Sequence, residues 1–515
     1  MKVSIIELDA RLYTMTSHLL MPKMGPLEVG TYLNTHGHDV SVYVECMNGV
    51  DEADLLRSDV IGFSVGVGNA TRVYEMVARL KAKCSATFIA GGPHATMVPE
   101  EALAHGFDYV VRAEGEETSL DLVRTLEAGG DAGALLGVSC LRGGRPVHNA
   151  PRPFMKSFEL TPSYSLLKGF RRKGVVEQLR AGKVYENFVQ TTRGCPFPCD
   201  FCYENKIGGT GYRKRSVQAI VDDIRYKIDF LRTNVFYITD ANFGLDAKFT
   251  KQLLRAMLDA GIDGRFTALM RIEVARDPEL LSLLKAAGFE MLCIGIESLD
   301  DRTLDSVSKK QRRQQIEDSI STLRQRGLNV FGLFIGGFER DTEQTFVRIV
   351  DFALKHDMVG LNIMVLGEYP DHPDCIVPSH RYFNRNWDYF PGHYLTFFMP
   401  RMRPSQFQRV VSREALRFYS RSNCAKSLIR SGWRGFSLKY GGRFVYRHVW
   451  KQAQTYLPYL ESVERGQYDG DTFVADERLR HEYAQAHPSP KVRVVSTVSP
   501  VMSFSAPVPG LSPTA

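Results

Sequence analysis

The sequence lacks long apolar runs and carries little excess charge. No apolar run approaches the roughly 18 residues of a transmembrane helix, so none is expected in the 515 residues. Lys and Arg number 65 against 58 Asp and Glu, a net charge of +7, less than the dense basic stripe typical of a nucleic-acid-binding protein. Hydrophobic residues make up 44%, which is ordinary for globular domains. We expect a globular protein without a nucleic-acid partner; an anionic small molecule or a membrane-surface substrate stays open.

Cysteine is sparse as well. There are nine cysteines, an odd number, and six of them are scattered along the chain. A large cytosolic protein does not need disulfides to hold its core. The first ten residues, MKVSIIELDA, predict a β-strand and not a signal peptide, so we expect the chain in the cytoplasm. The other three cysteines lie together, at Cys195, Cys199 and Cys202.

Short apolar segments alternate with helical patterns in residues 1–140. This alternation predicts an α/β fold, with a doubly wound parallel sheet and helices on both faces. Glycine-containing loops follow three predicted strands, at residues 66–69, 91–94 and 114–116. Ligands of such sheets bind at the carboxyl ends of the strands. These loops are either ligand-binding loops or ordinary tight turns.

The remaining chain divides into four predicted segments. Residues 141–185 are rich in Gly, Pro and Arg and predict a linker. Residues 186–380 contain six further strand–helix repeats, too few for an eightfold barrel, and predict a partial, open βα barrel. Residues 381–485 predict a mainly helical region that begins with an aromatic segment. Residues 486–515 are proline-rich without acidic residues and predict a disordered tail.

The three clustered cysteines have a C-x₃-C-x₂-C spacing directly after a predicted strand. Cysteine thiolates are the usual ligands of iron–sulfur clusters. A structural zinc site needs four ligands, yet no histidine occurs between His148 and His356, and Cys293 lies in a different predicted strand. Three ligands leave one iron open to bind a small molecule, as a catalytic cluster requires.

This loop, with Phe201 directly before the third cysteine, resembles the radical S-adenosylmethionine (SAM) superfamily. The resemblance implies a 4Fe–4S cluster whose open iron binds SAM and whose reduction yields a 5′-deoxyadenosyl radical. Any catalytic residue beyond the cluster stays unknown. Further segments resemble the family's strand ends near SAM, and Arg271 with Glu273 forms either an ion pair or a clamp for the SAM carboxylate. The SAM-binding residues implied in this way are Phe201, Asp240, Arg271, Glu273, Glu297, Ser298 and Gly337.

The N-terminal segments IGFS, GGPHAT and RAEGE resemble the cobalamin-binding domain of cobalamin-dependent radical SAM enzymes. The sequence lacks the Asp-x-His-x-x-Gly motif that supplies an axial histidine in other cobalamin proteins, so the ligand of cobalt stays open. The resemblance implies that cobalamin is bound and that a methyl group is transferred to an unactivated carbon. The cobalamin-binding residues implied are Ser64, Gly91, Gly92, Pro93, His94, Gly115 and Glu116.

Several functions share this two-domain arrangement. Cyclases acting on tetrapyrroles, and enzymes that join or rearrange carbon skeletons without methylation, are the main alternative. Methylthiotransferases carry three further N-terminal cysteines, a pattern absent here, and a non-enzymatic cobalamin sensor leaves the open cluster unexplained. The expected partners are a small-molecule substrate, such as a lipid, polycycle or natural-product intermediate, and an electron donor such as flavodoxin or ferredoxin. The aromatic segment around Trp387 and Tyr389 is either core or a wall for that substrate.

Overall fold

The computed structural model describes residues 1–174, 176–178 and 183–474. The predicted disordered tail, residues 486–515, lies outside the described residues. The described chain divides into two compact units. The first consists of Met1–Arg11, Thr16–Ile294 and Ser319–Asn329, and the second holds the other described residues.

The first unit begins with a seven-stranded sheet. The N-terminal strands are β1 (Lys2–Glu7), β2 (Leu19–Leu20), β3 (Asp39–Val44), β4 (Val60–Ser64), β5 (Thr87–Gly91), β6 (Tyr109–Val111), β7 (Val138–Arg142) and β8 (Arg145–His148). All except β2 form one sheet in the order β3-β1-β4-β5-β6-β7-β8. The first five of these are parallel, and β7 and β8 are antiparallel at one edge. The predicted domain boundaries stay predictions, although β8 lies inside the segment expected to be a linker.

Buried apolar side chains explain why these strands form. Four of the six residues of β1 and five of the six residues of β3 are buried, as expected for parallel strands covered on both faces. The covering helices are α1 (Met24–Thr35), α2 (Glu45–Asn48), α3 (Glu52–Leu55), α4 (Ala70–Lys81), α5 (Pro93–Met97), α6 (Pro99–Ala104) and α7 (Glu116–Glu127). Residues Leu27 and Leu33 of α1 and Leu120 and Val123 of α7 pack into one core with the strands.

The radical-SAM-like part follows. Its strands in order are β9 (Val184–Tyr185), β10 (Asn187–Val189), β11 (Thr192–Arg193), β12 (Arg213–Lys214), β13 (Val235–Ile238), β14 (Arg265–Met270) and β15 (Phe289–Glu297). Strands β10, β13, β14 and β15 are neighbours in a second parallel sheet, while β11 pairs with β12. The helices are α8 (Glu204–Ile207), α9 (Val217–Leu231), α10 (Ala247–Asp259) and α11 (Pro278–Ala286). Ser216, Asp246 and Asp277 cap the last three by accepting main-chain hydrogen bonds.

The second unit is mainly helical. The elements after β15 are, in order, α12 (Asp301–Ser306), α13 (Arg313–Gln325), β16 (Asn329–Gly336), α14 (Glu343–Lys355), β17 (Gly360–Val365), α15 (Pro404–Phe418), α16 (Arg421–Val463), β18 (Tyr468–Asp469) and β19 (Thr472–Phe473). Helix α13 begins in the second unit and ends in the first. Strands β16 and β17 bring the second sheet to six, in the order β10-β13-β14-β15-β16-β17. The predicted fold, a doubly wound sheet, a six-stranded partial barrel and a helical C-terminal region, is confirmed.

The aromatic segment after the barrel is largely core. Tyr389 and Tyr394 form a buried cluster with Tyr456 and Leu460 of α16. Tyr389 stacks on Tyr456 with ring centroids 4.6 Å apart. None of the helices in the described residues is long and apolar enough to cross a membrane.

Candidate active site

The cysteine loop leaves β11 through a tightly packed glycine. Gly194 has a φ of 81°, and a Cβ there would lie 2.2 Å from the carbonyl oxygen of Gly211. Only glycine fits this close approach. The main-chain N–H of Cys195 donates to the carbonyl of Gly209 at 3.1 Å, and that of Cys202 donates to the carbonyl of Cys199 at 3.0 Å. The loop is therefore folded back on itself and presents its cysteines in one short segment.

All three cysteines are free thiols, with Cys199 buried and the other two partly exposed. Burial raises the pKa of Cys202 to about 11. No group of three His, Cys, Asp or Glu side chains in the described residues is arranged around a single ion. A single tetrahedral ion needs thiolate sulfurs within roughly 4 Å of one another, whereas an iron–sulfur cluster takes each cysteine on a different iron. Three free cysteines on one loop fit a cluster better than a lone ion.

Arg271 places a positive charge beside the loop. Its Nη1 lies 3.9 Å from the sulfur of Cys199, and its guanidinium lies 3.9 Å from the ring centroid of Phe197. Its Nη2 is also 3.2 Å from Oε1 of Glu273, so the predicted Arg271–Glu273 ion pair is present. A cation at this distance favours the thiolate form of a cysteine, the form that binds metal.

Asp240, two residues after the end of β13, is fully buried and contacts the two threonines that precede the cysteine loop. Its carboxylate accepts hydrogen bonds from the main-chain N–H groups of Thr191 and Thr192, at 2.7 and 3.1 Å. Both threonine hydroxyls also donate to it. Burial raises the pKa of Asp240, and these hydrogen bonds act against that rise. Four donors from two residues indicate a positioning role, and contact with SAM stays a prediction.

Arg193, two residues before Cys195, joins the cysteine loop to helices of the N-terminal domain. Its guanidinium nitrogens lie 3.2 Å from Glu28, 3.1 Å from Glu114 and 2.8 Å from Glu116. Its Nε donates to Gln190 at 2.7 Å. Burial acts to lower the pKa of Arg193, but the three carboxylates hold it above its usual value. This buried cluster of charges connects α1 and the start of α7 with the segment that bears the cysteines.

A cavity of about 300 Å³ lies beside this charge cluster. From the N-terminal sheet it is lined by Val3, Ile5, Val60, Gly62, Ser64, Ile89, Gly91, Gly92, Gly115 and Glu116, and from the cysteine region by Gln190, Arg193, Glu204, Ile207 and Gly208. A Cβ on Gly62 would meet no atom closer than 3.9 Å, so the missing side chain leaves space for a ligand. The cavity is mainly apolar and reaches the carboxyl ends of β4 and β5 at Ser64 and Gly91, the edge at which α/β sheets bind organic ligands.

The structure brings together most of the predicted cobalamin-binding residues. Ser64, Gly91, Gly92, Gly115 and Glu116 line this cavity, and Pro93 and His94 do not. His94 is fully buried, with its Nε2 3.9 Å from Oε1 of Glu101. The individual binding roles of all seven residues stay predictions.

The other predicted SAM-binding residues have these surroundings. Phe201 is half-buried in the cysteine loop. In the second unit, Glu297 has a φ of 63° and pairs with Lys309 at 2.8 Å, and the Ser298 hydroxyl accepts from the Asp300 N–H at 3.1 Å. The N–H of Gly337 donates to Asp341 at 2.9 Å. Contact of these residues with SAM stays a prediction.

Two family models match the chain over these regions. The radical SAM superfamily model matches residues 189–353, and the B12 binding domain model matches residues 10–123. The chain carries a radical SAM domain and a B12 binding domain. The two matches confirm the predicted recognition and the predicted cofactors: a 4Fe–4S cluster, SAM and cobalamin.

Curated relatives of this chain include methyltransferases and cyclases. Hopanoid C-3 methylase of Methylococcus capsulatus is 25% identical over 481 residues, covering 91% of this chain and 90% of the relative. An uncharacterised methyltransferase of Pyrococcus horikoshii is 27% identical over 344 residues, 65% of this chain and 73% of the relative. Anaerobic magnesium-protoporphyrin IX monomethyl ester cyclase of Rubrivivax gelatinosus is 26% identical over 337 residues, 61% of this chain and 58% of the relative.

A solved structure shares the fold. The radical SAM methyltransferase TsrM from Kitasatospora setae, with cobalamin and a 4Fe–4S cluster bound, matches with a TM-score of 0.64 at 16% identity. The match covers 88% of this chain and 99% of TsrM.

Sequence reasoning missed the charge cluster around Arg193. Glu28 lies in a helix, Glu114 precedes another, and neither had a motif that pointed to Arg193. The available signal was a charged residue at the end of a strand, directly before a cysteine motif. The three carboxylates that pair with Arg193 come close to it only because the N-terminal domain packs against the segment that bears the cysteines.

Proposed function

We propose that this protein is a cobalamin-dependent radical SAM methyltransferase that methylates an unactivated carbon of a small molecule. The observation that carries the proposal is the cavity described above. Its walls come both from the B12 binding domain and from the segment that bears the cysteines. A cofactor in this cavity would therefore lie beside the cluster loop, as a reaction that uses both cofactors requires.

The chain's own residues have separable tasks in this proposal. Cys195, Cys199 and Cys202 hold the cluster, and Arg271 offsets the negative charge that the thiolate of Cys199 brings. Glycines and aliphatic side chains of the cavity admit the corrin's bulk and exclude water. When bound, the cofactors supply the radical and the methyl group, and the protein supplies orientation and shielding. The substrate class that we propose is a lipid, polycycle or natural-product intermediate, and the reductant is a flavodoxin or ferredoxin.

Methylation is better supported than ring closure. Methyltransferases among the relatives cover more of this chain than the cyclase of Rubrivivax gelatinosus does, 91% for the hopanoid methylase against 61%. Cyclisation or carbon–carbon bond formation without methyl transfer is the competing function. A cytoplasmic location stays a prediction.

The test begins with anaerobic purification, reconstitution with iron and sulfide, and titration with hydroxocobalamin. We expect one 4Fe–4S cluster and one corrinoid per chain, by absorbance, iron analysis and mass spectrometry. SAM labelled in its methyl group is then supplied with a reductant, and transfer of the label to candidate lipids and metabolites is measured. Cleavage of SAM without bound corrinoid, or turnover in which no label reaches the product, would contradict methyl transfer and favour the competing function.

A pair of cysteine variants makes this test specific. Cys199→Ala should lose most of the cluster iron and SAM cleavage, because it removes one of only three ligands. Cys84→Ala, a free cysteine elsewhere in the first unit, should retain both. Equal iron content in the two variants would show that Cys199 is not a ligand of the cluster.

A further inference from the structure

Helix α16 exposes an unusual concentration of large hydrophobic side chains. Thirteen such side chains are exposed in the described residues, and six of them lie on α16: Leu428, Ile429, Trp433, Tyr440, Phe444 and Trp450. Ile429 is 87% exposed and Trp433 is 70% exposed. Isolated exposed apolar residues are normal, but a contiguous group marks an interaction surface.

The aromatic residues form one stripe along the helix. After a break in the helix at Gly432, whose φ is 66°, Trp433, Phe436, Tyr440 and Phe444 follow at steps of three or four residues, so they share one face. The ring of Phe436 lies 5.3 Å from that of Trp433 and 5.6 Å from that of Tyr440. The same spacing continues to two exposed cations, at Arg447 and Lys451. We call these six residues the aromatic–basic stripe.

The helical segment that carries the stripe has charged residues of one sign. From Arg421 to Lys451 the sequence has eight basic residues and no acidic residue. Lys439 is buried against the ring of Phe418. Lys426 and Arg430 line a surface pocket that also contains Asp351 and Asp357. These three cations therefore contribute less to the positive charge that the helix presents to solvent. Arg447 and Lys451 belong to the stripe itself and complement a surface of negative charge.

We propose that the aromatic–basic stripe docks this protein on the surface of an anionic phospholipid bilayer. Tryptophan and tyrosine favour the headgroup region, where a ring is apolar at one end and hydrated at the other. A helix with aromatic residues beside Lys and Arg lies in the interface and does not span it. The cations are attracted to anionic headgroups over about a Debye length. The protein then works at a membrane surface, whatever its substrate.

The test is co-sedimentation of the full chain with vesicles, with phosphatidylcholine alone or with added phosphatidylglycerol. We expect binding to the anionic vesicles only, weakened by salt. The double variants Trp433→Ala/Tyr440→Ala and Arg447→Glu/Lys451→Glu should each lower the partition coefficient at least about tenfold. The matched controls, Leu136→Ala/Leu258→Ala and Arg145→Glu/Lys285→Glu, change exposed residues of the first unit and should bind like the wild type.

Three results would overturn the proposal. The first is no preference for anionic vesicles, and the second is equal binding by stripe and control variants. The third is a wild-type dimer that the stripe variants dissociate without any vesicle binding, which would make the stripe a subunit interface. Thermal melting of every variant, followed by circular dichroism, shows whether weaker vesicle binding comes from the changed surface or from an unfolded protein.

Discussion

Arg193 and Glu116 form an ion pair at 2.8 Å, and both side chains are more than nine-tenths buried. Glu116 begins α7 of the B12 binding domain, whereas Arg193 ends the strand that leads into the cysteine motif. Glu28 and Glu114 complete the group around the same guanidinium. The two domains recognised in the sequence are thus joined, inside one compact unit, by a buried charge cluster next to the proposed cobalamin cavity.

Removing Arg193 should destabilise the protein strongly. Arg193→Met leaves Glu28 and Glu116 without their shared cation, whereas Glu114 keeps its ion pair with Arg213 at 2.7 Å. Breaking a buried pair in this way costs about 3–5 kcal/mol. Arg193→Lys should fall between this variant and the wild type, because an ammonium group cannot reach several carboxylates as a planar guanidinium does. The measurement is denaturant unfolding of the cofactor-free protein.

A matched arginine provides the control for this prediction. Arg232 is exposed, with an ion pair to exposed Asp229 at 3.7 Å, so Arg232→Met should change stability by less than about 1 kcal/mol. Adding Glu116→Gln to Arg193→Met should recover part of the lost stability, because one uncompensated carboxylate is then neutral. Equal free energies of unfolding for Arg193→Met and Arg232→Met would show that the cluster around Arg193 contributes nothing to stability.

Filling the cavity should abolish corrinoid binding and spare the cluster. Gly62 lines the cavity, and a Cβ at this position has room, so Gly62→Leu places a side chain in the space without backbone strain. We expect loss of bound cobalamin by absorbance and mass spectrometry, with iron content unchanged. The control is Gly441→Leu, at an exposed helical glycine with no atom within 4 Å. Normal cobalamin binding by Gly62→Leu would place the cofactor elsewhere.

The role of Asp240 can be separated from direct contact with SAM. Asp240→Asn replaces one acceptor oxygen by an NH₂ group that faces threonine donors, and each buried donor left unsatisfied costs about 1–3 kcal/mol. Because these donors precede the cysteine loop, we expect lower stability and lower cluster occupancy per chain. If Asp240 instead only contacts SAM, iron content stays normal and SAM affinity falls, measured by calorimetry on the reconstituted protein.

Glu186 should make stability depend on pH. Burial raises the pKa of its carboxyl from 4.5 to about 7. The folded protein therefore holds this proton more tightly than the unfolded chain, so stability falls as the pH rises from about 4.5 to about 7 and is level above that. The complete loss amounts to about 3 kcal/mol.

A glutamine at this position removes the titration. Glu186→Gln should match the wild type near the lower end of this pH range and exceed its stability above about pH 7, in unfolding measured on the cofactor-free protein. Glu75→Gln, at an exposed side chain, serves as the control. A stability difference between Glu186→Gln and wild type that does not change with pH would mean that the carboxyl of Glu186 keeps its ordinary pKa.

The sequence by itself determined the fold class and the order of the two domains, and it predicts the cluster ligands. These depend on local information: the spacing of Cys195, Cys199 and Cys202, the alternation of apolar strands with amphipathic helices, and glycines directly after strands. Since all parallel strands of a sheet end at one edge, the strand order predicts that the loops containing Gly91 and Gly115 lie together, and both line the cavity.

Only the tertiary structure decided which distant side chains meet. It paired Arg193 with Glu28, more than 160 positions earlier, and directed Asp240 to two threonines. It also separated His94 from the cavity, although that residue directly follows Gly92 and Pro93 in the same loop. Such contacts depend on how helices pack on the sheets and where each side chain points. Local sequence patterns predict where helices and strands form. The direction of a side chain, however, depends on neighbours that packing brings from elsewhere in the chain.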